Sequence, residues 1–368
     1  MGKRNYPRRV AALGDSKNHL QSKGRSMSNL TQTTSVVKDF DEKSIYFLRF
    51  ALQDEAQYIV KNRLFGFKNK DFCNCHKKLV WHSTKAEVLL NHSTRRAYWN
   101  KIVTCANPAL CPVCSPRISS FRSEEISSAT VQHLQSDPDN CLYLLTLTCR
   151  HSSSDYLPVL LDNFKSALAY FFRLKQVQQV FLSAGVIGRI TSHEVTYSQK
   201  SGFHPHCHIL LFGRRSSIDV DYLTEKWLHS LDKFSLSGLS GIALDFEITN
   251  DIKNYLTKIS QELVFSHSKQ GRGDGHFSPM ELLSKSSSGE TWAGDAFSVI
   301  FSSYYRRHLL HWSRGLKEYF GIKSASDEDI AANNADSVRL LKILEIPRKH
   351  YLSLSHYKRA EILSDVTS

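Results

Sequence analysis

The chain has 368 residues, and its 48 Lys and Arg exceed its 35 Asp and Glu by 48 − 35 = 13. No apolar run approaches the ~20 residues that cross a bilayer, and no apolar segment follows the basic N-terminus, which argues against membrane and secreted proteins. The excess of positive charge indicates a polyanionic partner, with nucleic acid as the first candidate. Because no secretory signal is seen, a cytoplasmic location is expected.

The first part of the chain is basic and then rich in cysteine. Residues 1–43 are polar, with seven Lys or Arg against one acid among residues 1–37, and are predicted to form a disordered arm. Residues 44–135 are predicted to form a helical and zinc-binding module. Cys111 and Cys114 have the spacing of a zinc-binding turn, and Cys105 lies close in sequence.

Tetrahedral zinc needs a fourth ligand from upstream, and we take Cys75, with Cys73 and His76 as open alternatives. A redox Cys-x-x-Cys is the competing interpretation, but no βαβ pattern surrounds this one. Basic residues near the cysteines, among them Arg117, predict contact with DNA, and a zinc site that only stabilises the fold is the alternative.

Residues 136–320 contain the pattern that predicts a catalytic core. Leu142–Thr148 is apolar and β-branched, which is typical of a buried strand. Residues 203–213 read Phe-His-Pro-His-Cys-His-Ile-Leu-Leu-Phe-Gly and predict a second strand. Because residues two apart on a strand share a face, His206 and His208 should direct two imidazoles at one metal ion.

Val186–Tyr197 predicts a strand that pairs with the histidine strand as an antiparallel hairpin. If the register parity allows, Glu194 lies opposite His206 or His208 and adds a carboxylate ligand. A slip of one residue would turn His193 inward instead. A solvent-facing glutamate is the simpler alternative.

Asp251–Val264 predicts an amphipathic helix with a polar stripe that contains Asp251, Tyr255 and Lys258. A tyrosine hydroxyl can attack phosphorus when the phosphate charge is neutralised, and Lys258 could supply positive charge. An ordinary half-exposed helix is the alternative. Near the end of the core, Arg306 and Arg307 follow two tyrosines, which fits either base stacking with phosphate contacts or a packed helix edge. Residues 321–368 are predicted to be a mainly helical tail.

Three stretches in this order resemble the motifs of rolling-circle plasmid replication initiators in the HUH endonuclease superfamily. They are Leu144–Thr148, His204-Pro-His206-Cys-His208, and Tyr255-x-x-Lys258 on a helix. The cysteine cluster and Glu194-Val-Thr-Tyr197 resemble one branch of these proteins, of the single-tyrosine type.

The resemblance implies an α+β fold with a central antiparallel sheet of ferredoxin-like type and flanking helices. It implies Mg²⁺ or Mn²⁺ held by His206 and His208, and attack by Tyr255 on plasmid origin DNA that is single-stranded at the nick. The products would be a 5′-phosphotyrosyl link and a free 3′-OH, with host helicase and polymerase as further partners. Asp251 stands where this branch is expected to have a glutamate.

Three competing functions fit parts of the pattern. An HUH transposase or relaxase shares the chemistry. A histidine-triad nucleotide hydrolase would use the middle histidine, His206, as the nucleophile. A zinc-containing DNA-binding protein would need no catalytic histidines.

Overall fold

A computed structural model of the chain describes residues 42–66, 70–249, 275–333 and 340–367. Within Asp41–Ser368 the chain packs as one compact unit. The predicted arm of residues 1–43 lies outside the described ranges except for its last two residues, and the predicted helix Asp251–Val264 lies outside them entirely. None of the helices within these ranges is long and apolar enough to cross a bilayer.

The helices of the described ranges are α1 (Glu42–Arg63), α2 (Lys70–Asn74), α3 (Cys114–Ser136), α4 (Leu157–Phe171), α5 (Lys175–Ser183), α6 (Val220–Asp232), α7 (Pro279–Ser287), α8 (Thr291–Tyr304), α9 (Leu316–Tyr319), α10 (Asp327–Ala331), α11 (Arg348–Ser353) and α12 (His356–Thr367). The strands are β1 (Lys85–Asn91), β2 (Arg96–Asn100), β3 (Asn140–Thr148), β4 (Gly188–Ser198), β5 (Gly202–Arg214), β6 (Leu244–Thr249), β7 (Leu310–Trp312) and β8 (Leu340–Pro347).

The larger sheet has five strands in the order β6-β3-β5-β4-β7. Every neighbouring pair in it is antiparallel. The predicted α+β class with a central antiparallel sheet is therefore confirmed, and the two motif strands β3 and β5 are direct neighbours.

The two faces of this sheet are covered differently. One face packs along its length against α4 and α6, where Phe164 and Trp227 are buried against Tyr143 and Leu145. Each buried aromatic side chain of this kind contributes roughly 1.5–3 kcal/mol relative to an exposed one. The Trp227 indole also donates to the Thr148 carbonyl at 2.9 Å, which fixes the end of β3.

The opposite face is apolar at one end and polar at the other. Its apolar end, which includes Leu144, Leu210 and Phe212, packs against Ile126 and Ala129 of α3. Further along the same strands the residues on this face become polar, and they are Thr146, Thr148, Glu194, His204, His206 and His208. The alternation of strand side chains thus collects the candidate site residues on one part of one face.

The predicted hairpin of β4 and β5 is confirmed, and its turn depends on Gly202. The φ angle of Gly202 is +79°, in the region that favours glycine. A Cβ at this position would lie 2.7 Å from the Ser152 carbonyl oxygen. A side chain here would clash with the loop after β3, so glycine fixes the register that aligns Glu194 with the histidines.

A second sheet, of three strands in the order β2-β1-β8, was not predicted. Its last strand lies in the tail that was predicted to be mainly helical, and Leu340–Pro347 pairs antiparallel with Lys85–Asn91. The other elements in the described part of the tail are the helices α10, α11 and α12.

Residues from before the predicted boundary at 136 and after the one at 321 pack together. One hydrophobic core contains Tyr46 and Trp99 from the first part of the chain together with Tyr351 and Leu363 from the last part. The Trp99 indole donates to the Arg359 carbonyl at 3.3 Å. The two ends of Asp41–Ser368 therefore share a core.

Candidate metal centres

The structure brings Glu194, His206 and His208 together, as the hairpin predicted. Glu194 lies directly opposite His206 in the register of β4 and β5. Its Oε2 atom is 3.1 Å from His206 Nε2 and 3.3 Å from His208 Nε2. Ligands of an octahedral ion about 2.1 Å away lie about 3 Å apart, so the spacing suits a metal ion. These three residues form a group that could hold one.

Hydrogen bonds at the other ring nitrogens orient the two imidazoles. His206 Nδ1 is 3.3 Å from the His204 carbonyl oxygen, and His208 Nδ1 is 3.0 Å from Thr146 Oγ1. A carbonyl only accepts, so His206 carries a proton on Nδ1, and its Nε2 faces the Glu194 carboxylate. A metal ion bound between Nε2 and the carboxylate would replace any proton on Nε2.

Glu194 is buried but ionised. Burial raises the pKa of its carboxyl, and the nearby His206 and His208 outweigh this effect by charge and hydrogen bonding, so the pKa is well below its usual range. The group therefore places a full negative charge between two imidazoles in a site with little solvent contact, which favours binding of a divalent cation.

His204, the third histidine of the motif, is directed elsewhere. Its Nε2 is 3.2 Å from Thr148 Oγ1, and its Nδ1 is 3.0 Å from His151 Nδ1. Burial, followed by the charge of His206, lowers the pKa of His204 to about 3, so its ring is neutral at pH 7. The contact of His151 with this site was not predicted from the sequence. Its position three residues after Thr148, at the end of β3, was the signal that could have indicated it.

We expect Thr146→Val to weaken metal binding at this site by about 10–100-fold, because the variant loses the contact that orients His208. Titration of the protein with Mn²⁺ by calorimetry measures the effect. The control is Thr191→Val, a buried threonine on β4. Thr191 pairs with Ile209, whereas Ser192 pairs with His208, so Thr191 faces the other side of the sheet. Equal Mn²⁺ affinity in the two variants would contradict the assigned role of Thr146.

The cysteine cluster consists of Cys75, Cys105, Cys111 and Cys114. The sulfur of Cys75 lies 3.9 Å from that of Cys111 and 3.4 Å from that of Cys114, and the Cys105 and Cys114 sulfurs are 3.8 Å apart. Sulfurs held by tetrahedral zinc at about 2.3 Å are about 3.8 Å apart, so the four residues fit one ion.

The structure also separates the three candidates for the fourth position. Cys75 is part of the group, whereas Cys73 and His76 are not. His76 is buried against Phe50, and its backbone carbonyl accepts a hydrogen bond from Tyr351. The His76 ring therefore packs against Phe50 of α1 and is not one of the metal ligands.

Backbone amides donate to two of the sulfurs. Cys105 N is 3.3 Å from the sulfur of Cys75, and Cys114 N is 3.4 Å from that of Cys111. Burial raises the pKa of the Cys75 and Cys105 thiols, while hydrogen bonds from its three neighbours overcome burial at Cys111 and lower its pKa. Four thiols this close, three of them on buried residues, are consistent with a bound cation that would stabilise their thiolate forms.

We expect Cys111→Ser to lower the free energy of unfolding by more than about 3 kcal/mol and to remove one metal equivalent per chain, because a structural metal contributes directly to folding. Thermal melting with elemental analysis measures both. The matched control is Cys73→Ser, which changes a neighbouring cysteine outside the group. If Cys111→Ser retained its metal and its melting temperature, the cluster would not be a structural metal site.

The three arginines predicted to bind DNA occupy different environments. Arg117 is 8% exposed and its guanidinium lies 4.4 Å from the centre of the Tyr98 ring, so its burial argues against the predicted DNA contact. Arg306 and Arg307 follow α8 and form ion pairs with Asp71 and Asp162 respectively. Both pairs would have to open or be shared for a phosphate to bind.

The predicted catalytic residues Asp251, Tyr255 and Lys258 lie outside the described residues. Their roles therefore remain predictions from the sequence.

The fold and the site define an α+β protein with a Glu-His-His group on an antiparallel sheet and a four-cysteine group beside it. Residues 97–235 match the family described as Replication protein. The matched range contains the whole of β3, β4 and β5, and with them Glu194, His206 and His208. The resemblance to replication proteins that the sequence motifs indicated is confirmed over this range.

Two curated proteins are similar to this chain. A neomycin resistance protein of Streptomyces cyanogenus is 33% identical over 140 residues, covering 31% of this chain and 32% of that protein. A protein named Protein rep, from Streptomyces lividans, is 24% identical over 302 residues, covering 62% of this chain and 66% of that protein. The chain thus spans less than two thirds of either relative. No solved structure matches it.

Proposed function

We propose that the protein is a plasmid replication initiator of the HUH endonuclease type, which nicks one strand of origin DNA in the bacterial cytoplasm. The observation that carries the proposal is the convergence of Glu194, His206 and His208 within a replication-protein domain. The net charge of +13 suits a DNA substrate.

Glu194, His206 and His208 would hold Mg²⁺ or Mn²⁺, which neutralises charge on the phosphate and on the leaving 3′ oxygen. The two imidazole nitrogens favour Mn²⁺ over Mg²⁺, because Mg²⁺ prefers oxygen ligands. Thr146 and the His204 carbonyl would keep both rings oriented, and the Glu194 carboxylate would reduce the positive charge of the centre by one.

Tyr255 is proposed as the nucleophile. Its phenolic oxygen forms a bond to phosphorus, and the bond between phosphorus and the 3′ oxygen breaks, giving a 5′-phosphotyrosyl link and a 3′-OH. The phenolic proton passes to water as the new bond forms, and the leaving 3′ oxygen takes up a proton from water to become the 3′-OH. Lys258 is proposed to assist this deprotonation or to neutralise phosphate charge. Asp251 would activate a second nucleophile, such as water, at termination. The covalent link conserves the energy of the cleaved bond for strand transfer or rejoining.

The four-cysteine group would hold zinc in a structural role, since four thiolates in a tetrahedral arrangement suit Zn²⁺. A polymerase would extend the 3′-OH and a host helicase would unwind the template. The family described as Replication protein favours this use over transposition or conjugative transfer, which could employ the same chemistry.

The test is to incubate the protein with supercoiled plasmid carrying its origin, with and without Mn²⁺. We expect a metal-dependent nick, with the protein attached to the 5′ end and the adduct mapped to Tyr255 by mass spectrometry. Nicking without a protein–DNA adduct, or an adduct at another residue, would overturn the proposed mechanism. If no DNA were bound or cleaved, the function itself would be wrong.

A further inference from the structure

Four of the five tryptophans of the chain are used in packing, and Trp81 is the exception. Trp99 and Trp227 are fully buried, and Trp292 and Trp312 pack against two other hydrophobic cores. Trp81 is 90% exposed and belongs to none of the cores built from the described residues. An indole left in water contributes nothing to the core and leaves its aromatic face open to a stacking ligand.

The backbone beneath Trp81 is well anchored. Val80 N donates to the Lys101 carbonyl at 3.1 Å, and Ser83 N donates to the Val80 carbonyl at 3.0 Å. At the other end of the loop of residues 80–83, Arg348 Nη1 donates to the Ser83 carbonyl at 3.1 Å. The loop therefore presents the indole from a position fixed by both flanking segments, which lowers the entropy lost when a ligand stacks on it.

The surroundings of this loop are basic. Residues 76–86 contain no acid, and Lys78, Arg348 and Lys349 are exposed. The nearest acids along the strands are already engaged, because Glu87 pairs with Lys101 and Glu345 pairs with Lys85. The surface next to the indole is thus suited to a chain of phosphates.

The loop is also tied to the four-cysteine group. Val103 N donates to the Lys78 carbonyl and His76 N donates to the Val103 carbonyl, both at 2.8 Å. The segment that carries Trp81 therefore runs beside the one that leads to Cys105. A metal ion bound by the four cysteines would therefore help to hold the segment that carries Trp81 in place.

We propose that Trp81 stacks on an unpaired base of single-stranded DNA whose backbone crosses the adjacent basic surface. The inference rests on the proposed function and assigns a DNA contact to the cysteine-rich part of the protein. An aromatic face stacks on any base, and the neighbouring cations bind phosphates, so the contact is expected to be strong and insensitive to sequence.

The experiment measures binding of a fluorescein-labelled, mixed-sequence single-stranded oligonucleotide to the full chain by anisotropy. We expect Trp81→Ala to weaken binding about tenfold and Trp81→Phe to retain most of it, because phenylalanine also stacks. Tyr319→Ala, which removes another exposed aromatic residue at 67% exposure, is the matched control and should bind as the wild type does.

Salt dependence separates stacking from charge. Trp81→Ala should leave the slope of log affinity against log salt unchanged, whereas Lys78→Ala with Lys349→Ala should reduce it by roughly 1.4, at about 0.7 per phosphate contact on a single strand. Quenching of the Trp81 emission by DNA, obtained as the difference between wild type and Trp81→Phe, reports the stack directly.

Wild-type affinity in Trp81→Ala, or no quenching assigned to Trp81, would overturn the inference. If the wild type still nicks origin DNA in that case, the proposed function stands and only the role of Trp81 is wrong. Because Trp81 packs in none of the described cores, the thermal stability of the variant should match the wild type, and an equal melting temperature excludes misfolding as the cause of weak binding.

Discussion

Replacing His208 with alanine should lower metal-dependent nicking of origin DNA by about 10³-fold or more, since it removes one of two imidazoles in the proposed metal site. The loss follows from geometry, because His208 Nε2 is 3.3 Å from the Glu194 carboxylate and its Nδ1 is 3.0 Å from Thr146. The remaining ligands, Glu194 and His206, would bind the metal ion weakly. Nicking rates measured over a range of Mn²⁺ concentrations test the expectation.

The control for this variant is His311→Ala, which removes a histidine from β7 in the same sheet but outside the Glu-His-His group. It should nick at the wild-type rate. Glu194→Gln keeps the side-chain shape while removing its charge, so it should need a higher Mn²⁺ concentration for the same rate. Nicking by His208→Ala at the wild-type rate and Mn²⁺ requirement would show that the group is not the catalytic metal centre.

Tyr255→Phe should lower nicking by about 10⁴-fold or more and abolish the protein–DNA adduct, because it deletes only the nucleophilic oxygen. Binding of Mn²⁺ and of DNA should be retained. Tyr156→Phe, at an exposed position, is the matched control and should nick and form adduct normally. The measurement is the rate of nicking together with the amount of adduct resolved on a denaturing gel.

The same variant separates the proposed function from a histidine-triad nucleotide hydrolase. In that alternative His206 would be the nucleophile, and Tyr255→Phe would leave nucleotide hydrolysis intact without any metal requirement. The structure gives His206 Nε2 a carboxylate neighbour at 3.1 Å, an arrangement that suits a metal ligand. Persistent adduct formation in Tyr255→Phe would rule out Tyr255 as the attacking residue.

The central sheet could be predicted because its signals are local. The apolar run of β3, the alternating histidines of β5 and the short polar turn before Gly202 each lie within a few residues, and together they imply a hairpin with Glu194 opposite His206. The same reasoning identified three of the four cysteines of the metal group from their spacing alone.

The second sheet could not be predicted in this way. Residues 340–347 read Leu-Leu-Lys-Ile-Leu-Glu-Ile-Pro, which lacks strand alternation, and they become a strand because they pair with β1 more than 240 residues earlier. Contacts between residues far apart in sequence also determine the hydrogen bond between Thr146 and His208, the contact of His151 with His204 and the burial of Arg117. Sequence periodicity carries no information on such contacts.

The pairing of β1 with β8 has a consequence for the order in which the protein can fold during synthesis. Residues 85–91 leave the ribosome long before residues 340–347. Strand β1 therefore cannot pair with β8 until residues 340–347 have been synthesised. Until then Trp99 lacks the carbonyl of Arg359 and His76 lacks the hydroxyl of Tyr351. A nascent chain stalled before residue 340 would leave this side of the protein unfinished and prone to association, whereas the histidine hairpin would already have both of its strands.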